Sequence, residues 1–478
     1  MTADARYAGM DAWSLLASQA ARRPNHPLLV WAPFDAPPGT WTYARFLADA
    51  ERVAGGLAAQ GVREGDRVLV AMENSPEFLL AWFACARLGA TCAQANPASA
   101  PPELDWFASH LAVAARLGID DVRRLQGTPP PVPAPNPARD AAILFTSGTT
   151  ARPKGVRWTH GNVLWGAQLG AMHLALRPED VVHVCLPLCH VVAFSWSVLP
   201  AIRAGATVLL QPRFSASRYW DAALAHRATV GSHVQFTAGV LARQPAPGTH
   251  AFRVWGNSFW SSALASHLGA PVVGWYGMTE LVSAVVVGDP AIPQAERSIG
   301  RPSVGYEVRI ALDDGRDAPE GEAGNLLVRG VPGTSIFAGY YADPAATAAA
   351  FTPEGWFRTD DRALRHADGS IQFAERLKDV IKVGGENVSP AEVERVLLEA
   401  PGVREAAVVG RPDAAKGELV IAFVAGSGDD LAGRARAHCA SQLARYKVPA
   451  EVIVLDALPR GNLGKIAKNE LRERAASR

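Results

Sequence analysis

The chain has 478 residues, room for roughly two to four domains of ordinary size. Apolar residues make up 49% and charged residues 19%, which supports a large core and excludes general disorder. Lys and Arg total 47 against 46 for Asp and Glu, so no whole-molecule field draws the chain to nucleic acid or to an anionic membrane.

Met1 to Met10 carries Asp4 and Arg6 and lacks the apolar stretch of a secretory signal, which fits a cytoplasmic setting. Thr42 caps a predicted helix running to about Gln60, followed by a short strand over Arg67–Ala71 and a helix over Pro76–Leu88. Such alternation argues for a layered α/β architecture with buried strands. Thr128 to Pro137, TPPPVPAPNP, is too rich in proline for a helix or central strand and reads as an extended connector into an apolar strand, Ala141–Phe145.

Val181 to Ile202 contains no Asp, Glu, Lys or Arg, long enough to suggest a membrane span. His183, Pro187, His190, Ser195, Ser197 and Pro200 interrupt it, which suits a buried strand, a turn and a helix start, and no membrane span. The five cysteines, Cys85, Cys92, Cys185, Cys189 and Cys439, are too scattered for a disulfide framework. Cys185, Cys189 and His190 could open a metal site; small buried residues on an apolar strand are the plainer reading. A boundary falls near 375–379. Beyond it come an amphipathic helix over Pro390–Glu399, strands around Ala406–Val409 and Val420–Val424, and a helix over Leu431–Leu443. The expected fold class is α/β: a large N-terminal domain of layered α/β subdomains, 1–377, and a small mobile α+β domain, 378–478.

The strongest local signal follows the strand at Ala141: Phe145-Thr-Ser-Gly-Thr-Thr-Ala-Arg-Pro-Lys-Gly155. Its hydroxyls, glycines and Lys154 can surround phosphate oxygens, although the Walker A spacing is absent and an ordinary polar loop is the alternative. This segment resembles the phosphate loop of the adenylate-forming superfamily, which includes acyl-CoA synthetases, luciferases and peptide-synthetase adenylation domains. The family's other motifs follow in order. Tyr276-Gly-Met-Thr-Glu280 resembles the motif that stacks adenine on the aromatic ring, with Thr279 on the α-phosphate and Glu280 on Mg²⁺. Trp356-Phe-Arg-Thr-Asp-Asp361 resembles the ribose-binding motif. Glu375-Arg-Leu-Lys-Asp-Val-Ile-Lys382 resembles the hinge, with Arg376 near the ribose, Lys378 at the pivot and Lys382 one helical turn on. Pro459-Arg-Gly-Asn-Leu-Gly-Lys465 resembles the C-terminal motif whose lysine completes the adenylation site.

The resemblance implies ATP, Mg²⁺ and coenzyme A as reactants or cofactors. It implies catalytic roles for Lys465, Thr279, Glu280, His190 and Lys382, with Glu280 as the metal ligand. Thr146, Ser147, Gly148, Thr149, Thr150, Lys154, Asn257, Tyr276, Asp361 and Arg376 are the implied nucleotide contacts. Gly384 and Gly385, in Val383-Gly-Gly-Glu-Asn387, would let a narrow pantetheine chain pass against backbone, and a tight turn is the alternative. The segment Ser298 to Glu394 is similar to carnitine and crotonobetaine CoA ligases. Two features depart from the family. Asp360 stands where glycine is usual, and 101–141 looks shortened, its strand and helix elements reduced to the proline-rich connector. That leaves room for a pocket or an oligomer face, a homodimer included.

Trp196, Trp255, Trp260 and Trp275 fall near the expected acid pocket, where they could hold a quaternary ammonium, stack on an aromatic acid, or simply be core. The expected activity is an ATP-dependent acid–CoA ligase acting on a small or aromatic acid. Its rivals are an adenylate-forming enzyme passing the activated group to an amine, such as an amide ligase or a nitrite-using diazotase, and a catalytically silent ATP-binding protein.

Overall fold

A computed structural model describes residues 6–97, 99, 101–146, 153–292, 294–376, 381–383, 386–388, 390–413, 416–443, 445–461 and 465–477, with backbone alone at 102, 103, 375, 376, 382, 386 and 387. The chain forms two compact units: 1–308 with 328–357 and 368–371, and 309–327 with 358–367 and 372–478.

The first unit holds two sheets. In one, nine strands run in the order Ser298–Pro302, Val286–Val287, Val272–Tyr276, Val254–Asn257, Val230–Ser232, Val181–Val184, Thr207–Leu210, Pro27–Trp31 and Gly39–Thr42. From Val272–Tyr276 to Pro27–Trp31 every neighbouring pair is parallel. Strands of this kind are covered on both faces, and Thr207–Leu210 and Val272–Tyr276 are buried at every position. The second sheet runs Gly339–Tyr340, Lys154–Thr159, Asp140–Thr146, Thr91–Gln94, Arg67–Val70 and Ala115–Leu117.

The helices between strands start where sequence says they can. The Thr42 side chain accepts from Arg45 N at 3.2 Å to begin Tyr43–Ala59. Ser75 Oγ accepts from Phe78 N at 3.2 Å to begin Pro76–Leu88, which ends at Gly89 with φ +71°. Between them Asn74 is buried. Its amide donates to Leu186 O (2.9 Å) and Gln211 O (3.0 Å), and its carbonyl oxygen accepts from Leu188 N at 2.8 Å.

The uncharged stretch 181–202 is a strand, a turn and a helix, as its prolines suggested, and no helix among the described residues is long and apolar enough to cross a membrane. The helix is irregular. Val191–Ala193 passes through a π-turn at Phe194–Val198 into Leu199–Ala204, and Leu199 N donates to Phe194 O, five residues back. Pro200 has no N–H for Trp196 O, so the regular ladder would fail here in any case. Cys185 and Cys189 are buried, but they lie in the turn after the strand rather than on it.

The expectation that 101–141 keeps only its connector is corrected. A helix, Pro101–Leu111, a strand, Ala115–Leu117, and a helix, Ile119–Arg124, precede it, and the strand pairs in parallel with Arg67–Val70. A three-residue strand and a six-residue helix carrying two Asp and two Arg are too short to show a period. The connector then lies on the helix Tyr43–Ala59, where a Cβ at Gly55 would overlap the backbone carbonyl of Gly127.

In the second unit, Gly417–Gly426 pairs antiparallel with Val403–Asp413 and parallel with Glu451–Val454. The helices Pro390–Glu399 and Leu431–Gln442 have the bounds the sequence suggested to within a residue. Val393, Val396, Leu397, Ala435 and Cys439 pack with the strands' apolar face.

Gly55→Ala should therefore destabilise the first unit by about 1–3 kcal/mol, read as a lower urea midpoint. Three buried histidines add a pH dependence. Desolvation lowers His160 and His183 to about 4 and His233 to about 3, so the folded chain keeps them neutral while the unfolded chain protonates near 6.5. Their contribution is intact above about pH 6.5 and is lost as pH falls through about 4. The urea midpoint should drop over that window, and a flat midpoint from pH 7 to 4 would contradict it.

Candidate active site

The parallel strands of the first unit deliver their C-terminal ends to one edge, where open α/β sheets bind ligands. Asn257 and Tyr276 end adjacent strands, with Asn257 opposite Gly274. His190 follows the strand Val181–Val184 and caps the helix at Val191. Its backbone N donates to Pro187 O at 3.0 Å, and Asn74 clamps the same loop at Leu186 and Leu188.

The Tyr276–Glu280 segment leads into a single turn, Thr279–Leu281, and then into Val282 at φ +65°, ψ −52°. Ser283 N donates back to Leu281 O at 2.6 Å, closing a γ-turn that a β-branched residue rarely enters. Four consecutive carbonyls receive donors from distant chain segments. Trp158 Nε1 donates to Thr279 O at 2.8 Å, Phe337 N to Glu280 O at 2.8 Å, Tyr306 Oη to Leu281 O at 2.9 Å, and Ser195 Oγ to Val282 O at 2.7 Å. The single Tyr306 hydroxyl proton is shared between Leu281 O and Ser335 O, the latter at 2.8 Å, and the oxygen accepts from Trp165 Nε1 at 3.1 Å. Burial pushes its phenol upward, so it stays a protonated donor.

Glu280 is buried. Tyr340 Oη donates to Glu280 Oε1 at 2.9 Å, and Lys154 Nζ lies 4.7 Å from the centroid of the Tyr340 ring. Tyr340 thus touches both the carboxylate and Lys154, which is paired with Thr146 across the strands Asp140–Thr146 and Lys154–Thr159. Among the described residues no cluster of three or more His, Cys, Asp or Glu could hold a metal alone. One positioned carboxylate with phosphate and water oxygens to complete the shell is how Mg²⁺ is commonly held, so Glu280 fits that ion.

The tryptophans divide. Trp255 is core: it stacks on His233 at 4.5 Å and meets Trp220, Tyr219 and Phe252. Trp275 lies flat over Gly256 and meets the edge of Trp196, their centroids 5.1 Å apart. Trp196, carried on the π-turn, presses on Gly277, where a Cβ would come within 2.7 Å of its ring. Trp260 is half-buried.

In the second unit Asp361 is buried and Asp360 exposed. Asp360 has φ +58°, the region that favours glycine and tolerates Asp, which accounts for the substitution. Arg376 ends the strand Ile371–Arg376. Lys382 lies on the strand Ile381–Val383 rather than a helical turn, because this segment pairs with Glu386–Val388 and Gly417–Gly426. Lys465 is exposed, on a loop closed by Gly461 N donating to Lys465 O at 2.8 Å and Ala467 N to Pro459 O at 2.9 Å. Ser147, Gly148, Thr149, Thr150, Lys378, Gly384 and Gly385 lie outside the described residues.

Sequence reasoning passed over Tyr340, Trp158, Tyr306, Ser195 and Asn74. Only Asn74 carried a local signal, its place before the Ser75-Pro76 helix start. Gly277→Ala tests the packing around the motif: the added methyl would meet Ser283 O at 2.6 Å as well as Trp196. Acid-dependent pyrophosphate release should fall roughly tenfold or more while the fold persists, checked by release assay and circular dichroism.

The profile of the AMP-binding enzyme family matches residues 16–126 and 112–341, and that of the AMP-binding enzyme C-terminal domain matches 392–465. Crotonobetaine/carnitine–CoA ligase of Salmonella paratyphi C is 31% identical over 90% of this chain and 93% of its own length. Among solved structures, O-succinylbenzoate coenzyme A synthetase from Bacillus subtilis with AMP superposes at TM-score 0.87 and 29% identity, covering 97% of this chain and 98% of that one. ATP-bound MatB from Rhodopseudomonas palustris does so at TM-score 0.87 and 27% identity, covering 97% and 99%. With the phosphate-loop flanks, the pinned Glu280 and both family domains in place, the chain belongs to the AMP-binding enzyme family and is an AMP-forming ligase of the acyl-CoA synthetase type.

Proposed function

We propose that this chain condenses a small or aromatic carboxylic acid with ATP to an acyl-adenylate and then passes the acyl group to the thiol of coenzyme A. The observation that carries the reading is Glu280, a buried carboxylate oriented by Tyr340 beside Lys154. The near full-length similarity to CoA ligases supports it.

In the first half-reaction a carboxylate oxygen of the acid bonds to the α-phosphorus of ATP as the bond to pyrophosphate breaks. The barrier is electrostatic, an anion approaching a polyanion, so positioned cations and hydroxyls lower it without a covalent enzyme intermediate. Lys154 and the loop 146–150 cradle the departing phosphates, Thr279 holds the α-phosphate, and Asn257 and Tyr276 hold the base. His190 meets the acid's carboxylate. Mg²⁺ on Glu280 supplies charge neutralisation when bound. Asp361 takes the ribose hydroxyls, with Arg376 near them, and Lys465 completes the site when the C-terminal domain 378–478 closes on the N-terminal domain 1–377. In the second half-reaction the thiolate of coenzyme A attacks the acyl carbon and AMP leaves. Lys382 then faces the adenylate, and the pantetheine passes Gly384 and Gly385.

The tryptophan packing bears on acid choice. Trp275 packs on Gly256 and Trp196 on Gly277, and dense rings beside the motif support the choice of a short or flat acid over a long chain.

The test is pyrophosphate release from ATP and Mg²⁺ with a panel of acids, nitrite included, in the presence of coenzyme A, an aryl amine or neither. One acid should give release that coenzyme A accelerates and that Lys465→Ala lowers by at least about a hundredfold. Acceleration by the amine alone would replace the thiol as acceptor. Release unaffected by Lys465→Ala would remove that lysine from the first half-reaction.

A further inference from the structure

Val282 is costly where it stands. A non-glycine residue at φ +65° is strained, and such strain survives only where surrounding contacts over-determine the backbone. The side chain is fully buried, so the position has no solvent into which to relax. The turn follows Thr279 and Glu280 directly, and a relaxed Val282 would swing the backbone that carries both side chains.

Two hydroxyls oppose that relaxation. Tyr306 Oη holds Leu281 O, and Ser195 Oγ holds Val282 O. Each is itself fixed. Tyr306 is buried, accepts from Trp165 Nε1, and divides its one proton between Leu281 O and Ser335 O, which ties the two carbonyls together. Ser195 is buried on the π-turn and packed so closely on the helix His160–His173 that a Cβ at Gly166 would overlap its Oγ. Neither belongs to the nucleotide motifs.

We propose that Tyr306 and Ser195 are positioning residues for adenylation: by holding the Leu281 and Val282 carbonyls they keep the strained turn in place and so aim the Glu280 carboxylate at the metal bound to ATP. The proposal rests on the reading of Glu280 as the Mg²⁺ ligand.

The test compares the full-length protein with Tyr306→Phe, Ser195→Ala, Glu280→Gln and Tyr43→Phe. Tyr43 is the matched control, a buried phenol donating to Ala206 O at 2.8 Å far along the chain from the motif. The readout is the factor by which Mg²⁺ tightens ATP binding, measured by calorimetry with MgCl₂ and again with EDTA. A ratio of this kind cancels a general loss of folding, and melting temperatures are recorded beside it.

The Mg²⁺ factor should fall about tenfold in Tyr306→Phe and in Ser195→Ala, as expected for one buried hydrogen bond. It should stay at the wild-type value in Tyr43→Phe, whatever stability that variant loses. A wild-type factor in both positioning variants, with the factor lost in Glu280→Gln, overturns the proposal and leaves the metal reading standing. An equal fall in Tyr43→Phe overturns it as a general packing effect. An undiminished factor in Glu280→Gln removes the metal reading and the proposal with it.

Discussion

A buried valine held at positive φ, two residues beyond Glu280, is unfavourable taken alone, and donors from four distant chain segments hold the backbone that leads into it. Four carbonyls in a row, from Thr279 to Val282, each receive a donor from a different part of the chain. A segment with every acceptor satisfied from outside cannot drift without leaving buried polar groups unpaired, at about 1–3 kcal/mol each. Preorganisation of this kind lets a site meet developing charge without reorganising during the reaction.

The donors need elements brought unusually close. Ser195 and Trp196 ride on a π-turn that Pro200 makes natural, and Gly166 lets the neighbouring helix approach it. Trp196 in turn uses the space Gly277 leaves, and Trp275 the space at Gly256. Small residues on one partner and large rings on the other give the dense packing typical of protein interiors.

Electrostatics in the first unit are local, in keeping with a chain whose charges nearly cancel. Lys154 lies over the face of Tyr340 while the hydroxyl of that ring holds Glu280, so one aromatic side chain touches both a cation and an anion.

Much of this was legible in the residues themselves. Caps at Thr42 and Ser75, the apolar runs of the parallel strands and the five ordered motifs carry the fold class and the family, because caps, periods and motifs are encoded within a few residues. The strand Ala115–Leu117 and the helix Ile119–Arg124 are too short to show a period, as is the strand triplet that carries Lys382. Tyr306, Ser195 and Trp158 had no local signal at all. They act on partners 25, 87 and 121 positions away, and separations of that size carry no pattern along the chain. The sequence by itself determined what chemistry is present and in what order. Only the tertiary structure decided how the turn at Val282 is held and which hydroxyl meets the Glu280 carboxylate, because those choices are made by contacts between segments that meet only once the sheets have formed.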